Sequence, residues 1–143
     1  MGVDGSEGSL HAVDVALEEA RLRGAVLEIV HTWSISHDRP PAPLSPGVPV
    51  PTHLMPELER EAEAVLAAAL AHVPADSGVT VETSLVAADA ATTLVDKSAH
   101  AELIVVGTRG LSRFVEFVIG STSKTVIDHS HCPVIVVPPH TKS

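Results

Sequence analysis

The chain has 143 residues, 45% of them hydrophobic, and a formal charge of −9 from 18 acidic and 9 basic residues. That length suits one domain with a substantial core, and with only Trp33, Phe114 and Phe117 as aromatics the core must be built from Val, Leu, Ile and Ala. The acidic balance excludes the basic footprint that nucleic-acid binding needs, and the shortage of aromatics excludes a stacking platform for single strands.

In chain order, Val3-Asp4-Gly5-Ser6 reads as the end of a short strand entering a turn. Leu10, Val13, Leu17 and Ala20 then recur at helical spacing, with Ser6 or Ser9 as the cap and Gly24 as the stop. Residues 25–31 form an apolar run too short and uncapped for a helix, so they predict a buried strand. From Ser34 to Pro56 the periodicity collapses: prolines at 40, 41, 43, 46, 49, 51 and 56 forbid regular structure. This stretch is either a functional loop, such as a lid, or a disordered insertion. Leu58, Ala62, Val65, Leu66, Ala69 and Val73 define a second helix. Val79, Val81, Thr83 and Leu85 alternate as a strand. Asp89 can cap a third helix carrying Leu94, Val95 and Ser98. Leu103 to Val106 is an apolar strand ending at Gly107, a last helix starts near Ser121, and Val134-Ile135-Val136-Val137 is the final strand.

Strict alternation of strand and helix predicts an α/β fold with a doubly wound parallel sheet, helices on both faces, in one domain spanning 1–143. Ligands of such sheets sit at the carboxyl ends of the strands, which draws attention to the residues after Val3, Val30 and Val106. Cys132 is the only cysteine, which fits a reducing compartment and a cytoplasmic setting. No apolar run reaches the ~18 residues of a membrane span, and no signal-peptide pattern opens the chain.

The stretch from Gly107 to Ser121 carries the chemistry. Gly107 follows a strand, where a missing Cβ lets the backbone approach a ligand. Gly120 and Ser121 open a helix whose unpaired N–H groups and dipole favour phosphate, and Ser121, Thr122 and Ser123 add hydroxyl donors. The P-loop pattern is absent, because Ser123 rather than glycine precedes Lys124, and Gly2, Gly5 and Gly8 do not match the dinucleotide fingerprint. Arg109 and Arg113 either neutralise phosphate or lie solvated on the surface, with Arg109 favoured by its place beside Gly110. His129, His131 and Cys132 are too close together to face one metal ion without an unusual loop, and read as structural. His31 reads as packed or hydrogen-bonded.

The spacing Gly107, two residues, Gly110, nine residues, Gly120-Ser121 resembles the ATP-binding motif of the universal stress protein family. Val3-Asp4-Gly5-Ser6, the strand from Leu103 to Val106, and His131-Cys132-Pro133 leading into the last strand are similar landmarks in the same order. The resemblance implies a Rossmann-like, five-stranded parallel sheet of order 3-2-1-4-5, a homodimer and bound ATP with Mg or Mn. By position it implies that Val3 and Asp4 border the ribose or the metal-phosphate region, that Thr32 meets adenine through its backbone, and that Val106 and Gly107 border base and ribose. Gly110, Gly120, Ser121, Thr122 and Ser123 would hold the phosphates, and Asp4 would reach the metal indirectly. The family's first strand usually begins several residues before Val3, so the chain reads as a piece of a longer protein or a shortened one, with a weakened central strand.

The apolar last strand, Val134 to Val137, is placed at a sheet edge and needs cover, either from the same strand of a second copy or from a loop. No carboxylate pair, activated nucleophile or metal triad stands out, so the expected role is an ATP-binding stress-response regulator that acts through conformation or an unidentified protein partner. A slow ATPase or phosphate-transfer enzyme, and a nucleotide-free interaction protein of the same fold, are the alternatives.

Overall fold

A computed structural model describes residues 1–33, 55–108 and 119–139. They alternate along the chain as β1 (Gly2–Val3), α1 (Glu7–Arg23), β2 (Leu27–Thr32), α2 (Met55–His72), β3 (Val81–Val86), α3 (Ala90–Ser98), β4 (Ile104–Gly107), α4 (Ser121–His129) and β5 (Val134–Val137). Most of the Pro-rich stretch lies outside the described residues. Its end does not: α2 already starts at Met55, and Pro56 sits in the first turn, where its missing N–H breaks no helical bond.

Local chemistry sets the ends of the helices. Of the two serines that could cap α1, Ser6 does so, its hydroxyl accepting the Ser9 N–H at 3.2 Å. Gly24 closes the helix in the left-handed region at φ 60°, with its N–H directed to the carbonyls of Ala20 and Arg21. The face of α1 nearest the sheet is Ala12, Val13, Ala16 and Ala20, all buried, while Leu10 and Leu17 pack at its flank. Small residues on the contact stripe let the helix lie close to the sheet. Asp89 caps α3, accepting the Thr92 N–H at 2.9 Å.

All the strand pairings are parallel. β2 pairs with β1 through Gly2 and Val30 and with β3 from Leu27–Val81 to Thr32–Val86. β4 pairs with β5 from Ile104–Val134 to Gly107–Val137. The single five-stranded sheet expected from the sequence is therefore corrected: among the described residues there is a three-stranded sheet of order β1-β2-β3 and a two-stranded sheet, β4-β5. The halves match the expected neighbours, but no ladder joins β1 to β4. The physical reason is the length of β1, whose two residues offer few backbone groups and spend them on β2.

Side-chain packing bridges what the ladder does not. Met1, Val3, Leu27, Ile29, Val105 and Val137 share one core cluster with the buried face of α1. Val30, Ile104 and Val106 point the other way and pack with Leu94 of α3 and Val126 of α4. Alternate strand residues thus face opposite helical layers, as the period of two requires. Helices cover both sides, and the carboxyl ends of the strands are left for the loops.

Candidate functional site

At the end of β1 the chain turns sharply. Gly5 adopts φ 83°, a conformation that side-chain-bearing residues rarely take. Asp4 Oδ1 accepts both the Ser6 N–H at 3.0 Å and the Ser6 hydroxyl at 2.6 Å. The same Ser6 hydroxyl oxygen accepts the Ser9 N–H, so Asp4 braces the cap of α1. Both bonds land on Oδ1, which leaves Oδ2 uncommitted among the described residues. Val3 itself is buried, 6% exposed, so what it offers a ligand is backbone only.

His31 lies within β2 and opposite Val3 in the ladder. Its Nδ1 is 2.8 Å from the Val3 carbonyl oxygen. A carbonyl only accepts, so Nδ1 must carry the proton, and the imidazole tethers the residue just before Asp4. Thr32 ends β2 beside Val86, followed by Trp33, whose N–H donates to the Val86 carbonyl at 3.0 Å.

The second half of the site is the mouth of the glycine-rich stretch. Thr108 donates its N–H to Val137 at 3.0 Å, and its carbonyl accepts the Gly120 N–H at 2.8 Å. The residue leaving β4 and the residue entering α4 are therefore clamped together. Space at Gly120 is tight: a Cβ at this position would lie 3.2 Å from the Thr108 carbonyl oxygen, which would have to give by a few tenths of an ångström. The Gly120 φ of −63° carries no backbone strain. Gly120 is also the cap residue of α4, and no side chain caps that helix. The N–H groups of its first turn, at Ser121, Thr122 and Ser123, have no helical partner by construction of the helix.

Ser123 departs from expectation. Its hydroxyl donates to the Gly107 carbonyl at 2.7 Å and the residue is 5% exposed. The hydroxyl is used to lock α4 against the end of β4, so only the Ser123 N–H remains for a ligand. Val106 is 4% exposed and packs into the core, again leaving only backbone. Arg109 and Gly110, with Arg113, lie outside the described residues. The structure thus brings together Gly107, Thr108, Gly120 and Ser123 in one hydrogen-bonded turn, and Val3, Asp4, Ser6 and His31 in another. No hydrogen bond joins the two turns among the described residues.

One residue carries this geometry without being singled out by the sequence: Thr108 supplies the clamp through its backbone, which leaves no side-chain signal. Ser6 caps α1 as one of the two expected candidates, and its added bond to Asp4 is what the sequence did not single out. In the stretch near the carboxyl terminus, the Ser130 hydroxyl donates to the Cys132 carbonyl at 2.9 Å and the His131 N–H donates to the Ser98 hydroxyl at 2.9 Å. Among the described residues no three His, Cys, Asp or Glu side chains are grouped to hold a metal ion. No helix there is long and apolar enough to cross a membrane.

Fold and site define a parallel α/β domain of Rossmann-like type with a glycine-opened helix at the end of a strand. The universal stress protein family matches residues 1–138, and the chain belongs to that family. A universal stress protein of Mycobacterium tuberculosis is 37% identical over 140 residues, covering 95% of this chain and 43% of the relative. The chain spans less than half the length of the curated relatives it matches. Among solved structures, the universal stress protein from Archaeoglobus fulgidus in complex with dAMP is 26% identical with a TM-score of 0.68, covering 95% of this chain and 93% of that one. A universal stress protein in complex with cAMP is 27% identical with a TM-score of 0.66, covering 96% and 93%.

Proposed function

We propose that the chain binds ATP with Mg²⁺ or Mn²⁺ at the carboxyl ends of β1, β2 and β4, and that it acts as a cytoplasmic stress-response regulator whose nucleotide state changes its shape or its protein contacts. The observation that carries this reading is α4. Its cap residue is a glycine, no side chain caps it, and it stands where the chain returns beside Gly107. Three backbone N–H groups, at Ser121, Thr122 and Ser123, together with the Ser121 and Thr122 hydroxyls, would hold the phosphates. A Cβ at Gly120 would crowd the same corner. Asp4 Oδ2 would face the cation or the ribose, and the backbone at Thr32, Val106 and Gly107 would border the base and sugar. Arg109 and Gly110 would complete the phosphate contacts. The nucleotides bound by the dAMP and cAMP relatives support the class of ligand.

The reading also includes a homodimer through β5. One edge of that strand pairs with β4, and Val134, Ile135 and Val136 are only partly buried. A second copy of the strand would cover the other edge.

Titration of the purified protein with ATP and Mg²⁺ tests the binding. Saturation below millimolar ATP is the expected result, and no saturable heat at that concentration rejects it. Asp4→Asn keeps an oxygen to accept from Ser6 but removes the charge. It should erase the Mg²⁺-dependent part of the affinity, an effect of about tenfold. An unchanged Mg²⁺ dependence removes Asp4 from the metal region.

A further inference from the structure

The sheet β1-β2-β3 ends at β3, and no strand pairs with its outer side among the described residues. Bonds already made fix which backbone groups that side presents. Leu27 donates its N–H to the Thr80 carbonyl at 2.9 Å, and Trp33 donates to the Val86 carbonyl at 3.0 Å, so Thr80 and Val86 face the β2 side. Backbone groups of a strand alternate sides residue by residue. Glu82 and Ser84 therefore also face β2, while Val81, Thr83 and Leu85 turn their N–H and C=O groups outward. A groove of about 370 Å³ opens along the same side. Its walls are Thr83 and Leu85 of β3 and Glu63, Leu66, Ala67 and Leu70 of α2. Leu70 is 45% exposed, an aliphatic side chain left in water. A row of outward backbone groups and an apolar slot thus coincide at Thr83 and Leu85.

We infer that this edge takes up a short extended segment of a partner protein in which apolar residues alternate with lysine or arginine. The segment pairs with β3 through the outward groups. Its apolar residues share one face and enter the groove beside Ala67, whose small side chain leaves room. Charge selects the basic class. Glu63 lines the groove, Glu59 stands one turn before it on α2, and Glu82 is exposed on the other face of β3. None of these three carboxylates has an ion-pair partner among the described residues. α2 holds four glutamates and a single arginine, Arg60, which does not line the groove. The occupant's alternate residues, on its second face, fall beside Glu82. The same charges oppose a second copy of the chain, because two-fold pairing of β3 would set the glutamates of one copy against those of the other. β5 has no charged residue between Val134 and Val137 and lacks that obstacle. The edge uses no residue assigned to the nucleotide, so it stands whether or not ATP binds.

The test uses the full chain without nucleotide, so that failure here and failure of ATP binding are separate results. The probes are two end-capped peptides of equal charge and composition, Lys-Val-Lys-Val-Lys-Val and Lys-Lys-Lys-Val-Val-Val. The alternating peptide should bind saturably in fluorescence anisotropy, at least tenfold more tightly than the block peptide. It should slow exchange of the Thr83 and Leu85 amides and leave those of Glu82 and Ser84, already turned to β2, as they were. Thr83→Pro removes an outward N–H and no bond to β2, and it should weaken binding at least tenfold. Leu70→Lys should do the same from an exposed position, which keeps the test intact if the proline impairs folding. Equal affinity for the two peptides, or unchanged exchange at Thr83, would mean that net charge alone draws the probe and would overturn the inference. Absence of saturable binding would overturn it too, as would a dimer that Thr83→Pro splits, since the edge would then belong to a second copy.

Discussion

Helices α1 and α4 both start just beyond the carboxyl end of a strand, yet their first turns are finished differently. In α1 the protein satisfies itself: Ser6 accepts the Ser9 N–H, and Asp4 in turn accepts from Ser6. In α4 the cap is Gly120, which has no side chain to offer, and its own N–H is spent on Thr108. A glycine cap costs a helix only a few tenths of a kcal/mol relative to serine. Such a cap is thus a cheap way to leave backbone donors for something outside the chain. The informative feature is the missing cap together with the clamp that positions it, since helix N-termini as such are common to both.

The most damaging change is one that closes the open end. Gly120→Val adds a branched side chain where a Cβ alone already meets the Thr108 oxygen at 3.2 Å. Breaking the clamp and covering the amides together should weaken nucleotide binding at least 100-fold, about 2.7 kcal/mol, as read by calorimetric titration. Circular dichroism should show the helices retained, because the φ of −63° suits any residue. Affinity within a few-fold of the original chain would mean that α4 does not hold the ligand.

Next in size is the lock behind that end. Ser123→Ala deletes the 2.7 Å bond to the Gly107 carbonyl in a site that is 5% exposed. Leaving that acceptor unpaired should cost about 1–3 kcal/mol in urea unfolding. Because α4 is then held less firmly against β4, nucleotide affinity should fall with it. A variant that loses stability but keeps full affinity would separate the lock from the site.

How much of this was readable in advance depended on the range of the interaction. The nine elements among the described residues follow from local periodicity and punctuation, and Asp89 and Gly24 are legible as cap and stop because each acts on its own helix. The break between β1 and β4 was not, since strand pairing joins residues about a hundred positions apart and depends on how many backbone groups β1 can present. In the sequence the Ser123 hydroxyl reads as a phosphate donor because its neighbours invite it. The counter-signal was its spacing from Val126: three residues apart on α4, the two share one face, and Val126 is fully buried. His31 shows the same limit, as its bond to the Val3 carbonyl exists only once the register Val3–His31 is known.

The self-finished end offers the opposite experiment. Ser6→Ala removes the α1 cap and one of the donors to Asp4, and should cost about 1 kcal/mol of stability. Its effect on nucleotide affinity should be smaller than that of Ser123→Ala, since it reaches the ligand only by loosening Asp4. Equal losses of affinity from the two variants would dissolve the distinction between the two helix ends.

The smallest effect is expected far from both ends, and it serves as the control. Glu28 on β2 accepts from Lys97 of α3 at 2.6 Å and from the Ser84 hydroxyl. Burial pushes its carboxyl upward, but the Lys97 ammonium and the Ser84 hydroxyl outweigh that and hold it below its ordinary range. A carboxyl whose folded pKa is depressed stabilises the fold above its unfolded pKa and loses that contribution as pH falls through the folded value, that is, from about pH 4.3 downward. Lys97 and Glu28 are 31% and 37% exposed, so solvent screening keeps the pair to no more than ~1 kcal/mol. Lys97→Met should therefore be less stable than the original chain at pH 6, with the gap narrowing toward pH 3, while ATP affinity at neutral pH stays unchanged. A gap that persists undiminished in acid would mean the methionine acts through packing, and a fall in affinity would mean that the two ends of the strands are coupled.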